Sequence, residues 1–288
     1  MLFLDLLADG VVTGCAVGVV AVTFTMIYST TRVFHVAHAG IYTVAGYSTW
    51  FLTTRGLPFW LAIICSIAVC AAVGALIQHQ LYTRLARRDA PPLVLLIASL
   101  GALVVIQNLM AALFSPNILQ IPADWRVLTV GIGSIRLSMP QILLAVSSLV
   151  IFAGLLAWSR YTSLGKRTRA VAANEFLAEI TRLEPRRVYI TVMAIASGVL
   201  AVPGSLTALD HGLQPYTGTL VLLTATIAMI AGGMGNLFGA FVTSVILAAL
   251  QTTSTLVIPG QWSIAATFGL FVILMIVAPT GLFARRPR

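Results

Sequence analysis

Nine runs of apolar residues, roughly 10–29, 34–53, 58–79, 92–114, 140–159, 188–208, 217–233, 237–256 and 262–279, occupy most of this 288-residue chain. Each is close to the ~20 residues that a helix needs to cross a hydrocarbon layer about 30 Å thick. Charged residues make up 9% of the chain and hydrophobic residues 59%, whereas a soluble domain carries about 25% charged residues. A core able to hide this much apolar surface from water is hard to build at this size, so lipid is the solvent the chain requires. The expected fold is all-α: a polytopic transmembrane helical bundle in which residues 1–288 form one integral-membrane domain. Nine runs give nine crossings. Eight or ten stay open, because two of the runs are interrupted by glycine.

The net charge of +9 comes almost entirely from arginine, with Lys166 the only lysine. A basic balance can signal nucleic acid, but here the bases sit in short loops between apolar runs. That is the pattern membrane insertion and anionic lipid produce, and it needs no nucleic acid. With nine crossings, placing the loops around Arg84–Arg88, Arg160–Arg187 and Arg285–Arg288 inside puts fourteen of the seventeen bases inside. Arg55, Arg126 and Arg136 remain outside, together with the acidic start carrying Asp5 and Asp9. The loop Arg160–Arg187 and the C-terminus then lie inside. MLFLDLLADG has acids where a cleavable signal would have bases. Cys15, Cys65 and Cys70 lie in apolar runs and read as free thiols. The longest outside loop, about 115–139, contains VLTVGIGSIRLS (127–138). Its β-branched residues flank Gly131 and Gly133, which fits a small hairpin or an irregular loop equally.

Catalytic constellations are missing from the sequence: there is no H-E-x-x-H, no G-x-S-x-G and no phosphate-binding glycine loop ending in lysine. His35 and His38 share a helix face, but no third ligand completes a metal set. Capping a helix, lining a polar cavity or facing headgroups fits them better. The other two histidines are His79 and His211, and Asp210 sits at the end of a run. No cofactor is indicated. A transporter with no engine of its own needs a partner that has one.

Two runs carry glycine pairs six apart, Gly40 and Gly46 in HAGIYTVAGYSTWFL, and Gly233 and Gly239 in GGMGNLFGAFVTSVIL. Corresponding glycine-broken spans in two halves of a chain point to a pseudo-symmetric transporter with its path at the repeat interface. Ordinary packing through small residues is the alternative. A break at Gly232–Gly235 would expose backbone groups that need protein around them.

The charge is densest at RTRAVAANEFLAEITRLEPRR (167–187). Read as one helix over 170–184, it places Ala173, Phe176, Leu177, Ile180 and Leu183 on an apolar face. Glu175 and Glu179 lie on the other side, and Glu179 is spaced to pair with Arg182. Pro185 ends the helix. Such a helix lies flat in headgroups or enters a partner's groove.

Four segments in order resemble the integral-membrane permease subunits of bacterial branched-chain amino-acid ABC transporters. HVAHAGIYTVAGY (35–47) is similar to the family's element after the first span. SLGKRTRAVAANEFLAEITRLEPRRV (163–188) resembles its coupling loop, AGGMGNLFGAFV (231–242) its late glycine run, and APTGLF (278–283) its closing Pro-Thr-Gly-Leu. The family's Asn is here His35, its Gly-Glu pair Ala39-Gly40, an acidic pair Ala173-Asn174, and a coupling-loop glycine Arg182. The resemblance implies a permease of the bacterial inner membrane without an ATPase site. Its solutes would be branched-chain amino acids or similar small polar molecules, with relatives that carry urea and short amides. It implies a second permease subunit or copy, cytoplasmic ATP-binding subunits and an extracytoplasmic solute-binding protein. Ala173, Glu175, Phe176, Leu177, Glu179, Ile180 and Leu183 would form the coupling helix. His35, His38, Gly40, Gly46, Gly232, Gly233, Gly235 and Gly239 would lie at the path or at close packing beside it. A stand-alone secondary transporter or channel is the rival reading. A membrane enzyme is a third, and lacks an acid/base or metal set.

Overall fold

The computed structural model describes residues 2–132 and 135–283, and in it all nine apolar runs are helical. The helices are α1 (Leu2–Thr31), α2 (His38–Thr54), α3 (Phe59–Ala86), α4 (Pro92–Phe114), α5 (Met139–Tyr161), α6 (Ser163–Ala173), α7 (Glu175–Ile180), α8 (Pro185–His211), α9 (Thr217–Gly232), α10 (Leu237–Ser254) and α11 (Ser263–Val277). Six of them, α1, α3, α4, α5, α8 and α10, are long and apolar enough to cross a membrane. The other three apolar helices, α2, α9 and α11, have 17, 16 and 15 residues, short of the ~20 a full crossing takes.

α1 is the axis of the molecule. In its most apolar stretch 89% of residues are buried, against 22% in α4 and 17% in α5. α4 and α5 therefore turn most of their apolar surface outward, as lipid or a partner subunit allows. α1 pairs with α10 in antiparallel fashion. A Cβ added to Gly10 would fall 2.7 Å from the Ala249 Cα, one added to Gly14 2.7 Å from the Val245 Cα, and one added to Gly18 2.6 Å from the Phe241 ring. Glycines four apart make one smooth stripe, and the backbones close on it.

α2 starts well inside the bundle. His38, its first residue, bonds Thr23 of α1 at 3.0 Å, and Thr23 is about 12 Å of helix from Thr31 at 1.5 Å per residue. The linker 32–37 thus climbs back among the helices before α2 begins. α9 does the same from the opposite end. Its Gly218 packs against the Ala39 carbonyl and Thr43 of α2, and Thr219 accepts a hydrogen bond from Gln107 Nε2 at 2.7 Å in the middle of α4. Two shortened helices therefore meet near their N-termini inside the protein.

This arrangement corrects the expected glycine breaks. α2 runs unbroken through Gly40 and Gly46, because both sit in helical conformation with packing on them. The discontinuities lie before His38 and Thr217 instead. The second glycine run is a true break: α9 ends at Gly232, and Gly233 and Gly235 have φ of 103° and 92°, the left-handed region that glycine enters without steric cost. α8 is interrupted at Leu200, where Pro203 has no N–H for the Val199 carbonyl. α3 contains a π-helical turn over Gln78–Tyr82.

At the opposite end from the arginine-rich loops, β1 (Thr129–Ile132) and β2 (Ile135–Ser138) form an antiparallel hairpin, with Thr129 opposite Ser138 and Gly131 opposite Arg136. Gly133 lies outside the described residues. Leu119 and Leu213 exchange backbone hydrogen bonds of 3.1 and 2.8 Å, which ties this loop to the α8–α9 connection. Ser138 and Gln141 form a capping box at the start of α5. The same side chains donate to Asp210 Oδ1 at 2.9 Å and Asp9 Oδ1 at 3.0 Å. The carboxylates of α1 and α8 are thereby joined through α5.

Candidate functional site

The segment expected as one helix over 170–184 is two. Asn174 leaves the helical region (φ −160°, ψ 108°), and its Oδ1 accepts from the Leu177 N–H at 3.0 Å. A side chain that caps a new helix competes with continuing the old one. α7 ends in a Schellman motif: Arg182 N–H donates to the Glu179 carbonyl at 3.0 Å and Leu183 N–H to the Ala178 carbonyl at 3.1 Å. Arg182 holds the left-handed position at φ 60°, where glycine is usual.

Those two caps fix which residues face out. Phe176, Leu177 and Ile180 are 70%, 57% and 64% exposed, and Ala173, Glu175 and Glu179 are exposed beside them. Ala178 faces inward with Val171 and Val188, and Leu183 packs partly buried against that cluster. Leu183 therefore leaves the apolar face assigned to it, because the Schellman turn reverses the chain. The expected Glu179–Arg182 pair is absent among the described residues; the ion pair there is Glu184–Arg187 at 2.6 Å. On α6, Thr162 caps the start by accepting from Gly165 N–H at 3.0 Å.

His35 and His38 are fully buried, so neither faces headgroups. The Tyr82 hydroxyl donates to Ser99 Oγ at 2.8 Å, so it takes its own hydrogen bond from His35 Nδ1 at 2.7 Å. Ser99 Oγ also accepts from the Ala37 N–H at 3.0 Å. Thr23 donates to the carbonyls of Val19 and Val20, so His38 Nε2 donates to Thr23. Assigning the protons in this way leaves lone pairs on His35 Nε2 and His38 Nδ1, and both atoms lack a protein partner. The rings lie 5.5 Å apart. Among the described residues no group of three metal-ligating side chains is assembled.

The glycines fall in two separate places. A Cβ on Gly40 would meet the Ile106 side chain at 3.1 Å, and one on Gly46 would collide with Leu213 and touch Ala208. Gly232 and Gly239 instead face each other at the α9–α10 turn: a Cβ on Gly232 would lie 2.5 Å from the Gly239 carbonyl. The closing segment folds onto the same turn. Leu282 N–H donates to the Ala231 carbonyl at 2.7 Å, and Asn236 Nδ2 to the Phe283 carbonyl at 2.7 Å. A Cβ on Gly281 (φ 94°) would lie 2.6 Å from Gly233 N. The late glycine run and the Pro-Thr-Gly-Leu end are thus one device.

Several partners escaped the sequence reading. Tyr82, Ser99 and Thr23 are far apart in the chain, and no local pattern links them to the histidines. Gly204 and Gly218, which let α8 and α9 approach α2, are single glycines without a spacing to mark them. The stripe Gly10, Gly14, Gly18 was readable as GVVTGCAVG.

A family model described as the permease component of branched-chain amino acid transport systems matches residues 6–279. The high-affinity branched-chain amino acid permease LivH of Escherichia coli (strain K12) is 23% identical over 98% of this chain and 96% of its own. BraD of Pseudomonas aeruginosa, described in the same terms, is likewise 23% identical, over 98% and 96%. The fructose import permease FruF of Bifidobacterium longum is 26% identical over 90% of this chain and 72% of its own. Among solved structures, PsaBC from Streptococcus pneumoniae in complex with Fab superposes with a TM-score of 0.52 at 16% identity, covering 94% of this chain and 91% of the other; at that identity the likeness speaks to fold. A match over nearly the whole length places the molecule: the chain belongs to the family of branched-chain amino acid transport permease components.

Proposed function

We propose that this permease forms the path by which branched-chain amino acids or similar small polar solutes cross the bacterial inner membrane, together with a second permease subunit or a second copy of itself. Cytoplasmic ATP-binding subunits drive it, and an extracytoplasmic solute-binding protein delivers the solute. The arginine-rich end, with α6, α7 and the C-terminus, is cytoplasmic. Fourteen bases on that side against three on the other support this orientation. His35, His38, Gly40 and Gly46 flank the interior junction of α2 and α9. Gly232, Gly233, Gly235 and Gly239 shape the turn at its cytoplasmic end.

The observation that carries the reading is the exposed triad Phe176, Leu177 and Ile180 on a helix capped at both ends. Large apolar side chains held rigidly in the open mark an interaction surface. An ATP-binding subunit is the partner that a permease without its own ATPase site needs. An apolar anchor at the centre of such an interface contributes about 2 kcal/mol, roughly thirtyfold in affinity. Leu177→Asp and Ile180→Asp place a charge where the partner would desolvate it. Both variants should insert normally, fail to co-purify the ATP-binding subunit and lose transport. Membrane binding alone predicts weaker lipid contact with the ATP-binding subunit still attached. Unchanged co-purification and transport in both variants would return α7 to the membrane surface.

A further inference from the structure

Three arginines at the same end do not belong to the α7 surface. Beside α6 lies a recess in two lobes, about 670 and about 350 Å³. The lobes share Ser159, Arg169, Met234, Gly235 and Leu237 in their walls. Arg160 adds a guanidinium to the larger lobe and Arg32 to the smaller. No acidic side chain lines either lobe, and among the described residues none of the three arginines forms an ion pair. Arg32 is set in place by a left-handed backbone (φ 56°) and by its own 3.4 Å bond to the Ala172 carbonyl.

Backbone donors add to the positive field. The 18-residue α10 begins at this wall. Asn236 Oδ1 caps the Gly239 N–H at 3.1 Å, which leaves the N–H groups of Leu237 and Phe238 without an intrahelical acceptor. Arginine forks and a helix start favour the same ligand, a phosphate oxyanion. The walls above this floor are apolar. Leu156 lines the larger lobe one turn up α5 from Arg160. The Phe152 ring lies a further turn up, 6.3 Å from the half-exposed Phe238. A cationic floor continued by an apolar wall along a membrane helix fits an amphiphile rather than a free ion.

We propose that this recess is a binding site for an anionic phospholipid. The phosphate lies between Arg160, Arg169 and the start of α10, and an acyl chain lies along Leu156, Phe152 and Phe238. Arg32 closes the smaller lobe. The site ties α6 to the α9–α10 turn, so a bound lipid stiffens the connection between that turn and the segment leading to α7. It goes beyond the proposed transport role and does not depend on the solute.

The test uses the full-length chain, purified in a neutral detergent. Thermal unfolding and native mass spectrometry are followed while phosphatidylglycerol, phosphatidylcholine or inorganic phosphate is added. Wild type should retain phosphatidylglycerol and unfold at higher temperature with it, with little response to the other two. Arg160→Gln/Arg169→Gln should unfold at the wild-type temperature without lipid and bind phosphatidylglycerol at least about tenfold more weakly, because both guanidinium forks on the phosphate are gone. Arg84→Gln/Arg88→Gln removes two arginines from the same end but outside the recess, and should bind like wild type. If the double variant is lost in purification, Arg160→Gln alone makes the same comparison at the rim. Equal retention in wild type and recess variants overturns the proposal. So does an equal response to phosphatidylcholine, or an equal response to inorganic phosphate, which leaves a plain anion site. Loss of a co-purifying subunit with phosphatidylglycerol binding intact overturns it in favour of an acidic protein partner.

Discussion

Arg182 shows what a single backbone angle does. It occupies the left-handed position of the α7 Schellman motif, which costs an L-residue about 1–2 kcal/mol. The family pattern has glycine there. Arg182→Gly should slow hydrogen exchange of the α7 amides about fivefold or more, and leave the exposed triad in place; unchanged or faster exchange would mean the turn is held by something other than its φ. Glycines divide in the same way. Gly232 and Gly239 have no room for a Cβ, whereas Gly101 and Gly154 have open space around theirs. Gly232→Ala and Gly239→Ala should cut transport severely by pushing the α9–α10 turn apart. Gly101→Ala and Gly154→Ala should preserve transport and raise stability by roughly 0.5–1 kcal/mol each, as thermal unfolding would register. The sequence singles out Gly232 and Gly239 by their place in a glycine run, but not by their crowding, which depends on residues far along the chain. Arg182, by contrast, was visible as a departure from a motif, although its left-handed angle was not.

Among elements, the apolar runs named every helix in the membrane region, because hydrophobic length is a property of the run itself. They did not show where α2 and α9 begin. α2 and α9 begin deep in the bundle, and their starts depend on Thr23, Gln107 and Ala39, which lie on other helices. The 170–184 helix failed at Asn174, where a cap won over an apolar period that continued through it. Pairing of α1 with α10 rests on Gly10, Gly14 and Gly18, a four-residue spacing less conspicuous in the sequence than the six-residue pairs. Gly14→Leu should separate these helices. Overpacking costs about 1–3 kcal/mol, so the variant should unfold at markedly lower temperature, while Gly154→Leu on the open face of α5 should change little. Equal melting of the two would remove the glycine stripe as the basis of the pairing.

For the whole molecule, the charge asymmetry sets an orientation that labelling can read. In a chain whose three native cysteines are replaced, a cysteine at position 117 should react in intact cells with an impermeant thiol reagent. One at position 87 should react only after the membrane is opened. Labelling at 87 from outside would invert the molecule and with it the assignment of α7 to the cytoplasm. The buried placement of α1 also has a temporal side. α1 is made before every other described helix, yet its main neighbour, α10, begins at Leu237. At about 5–20 residues per second, roughly 10–40 seconds pass before that neighbour leaves the ribosome. Throughout the wait α1 has lipid where protein will later stand. Three of its hydroxyls are prepared for this: Thr23, Thr25 and Thr30 all donate to carbonyls one turn back within α1, so none of the three needs a partner that has not yet been made. The helix the finished protein is built around can thus wait for its main partner without an unmet hydroxyl.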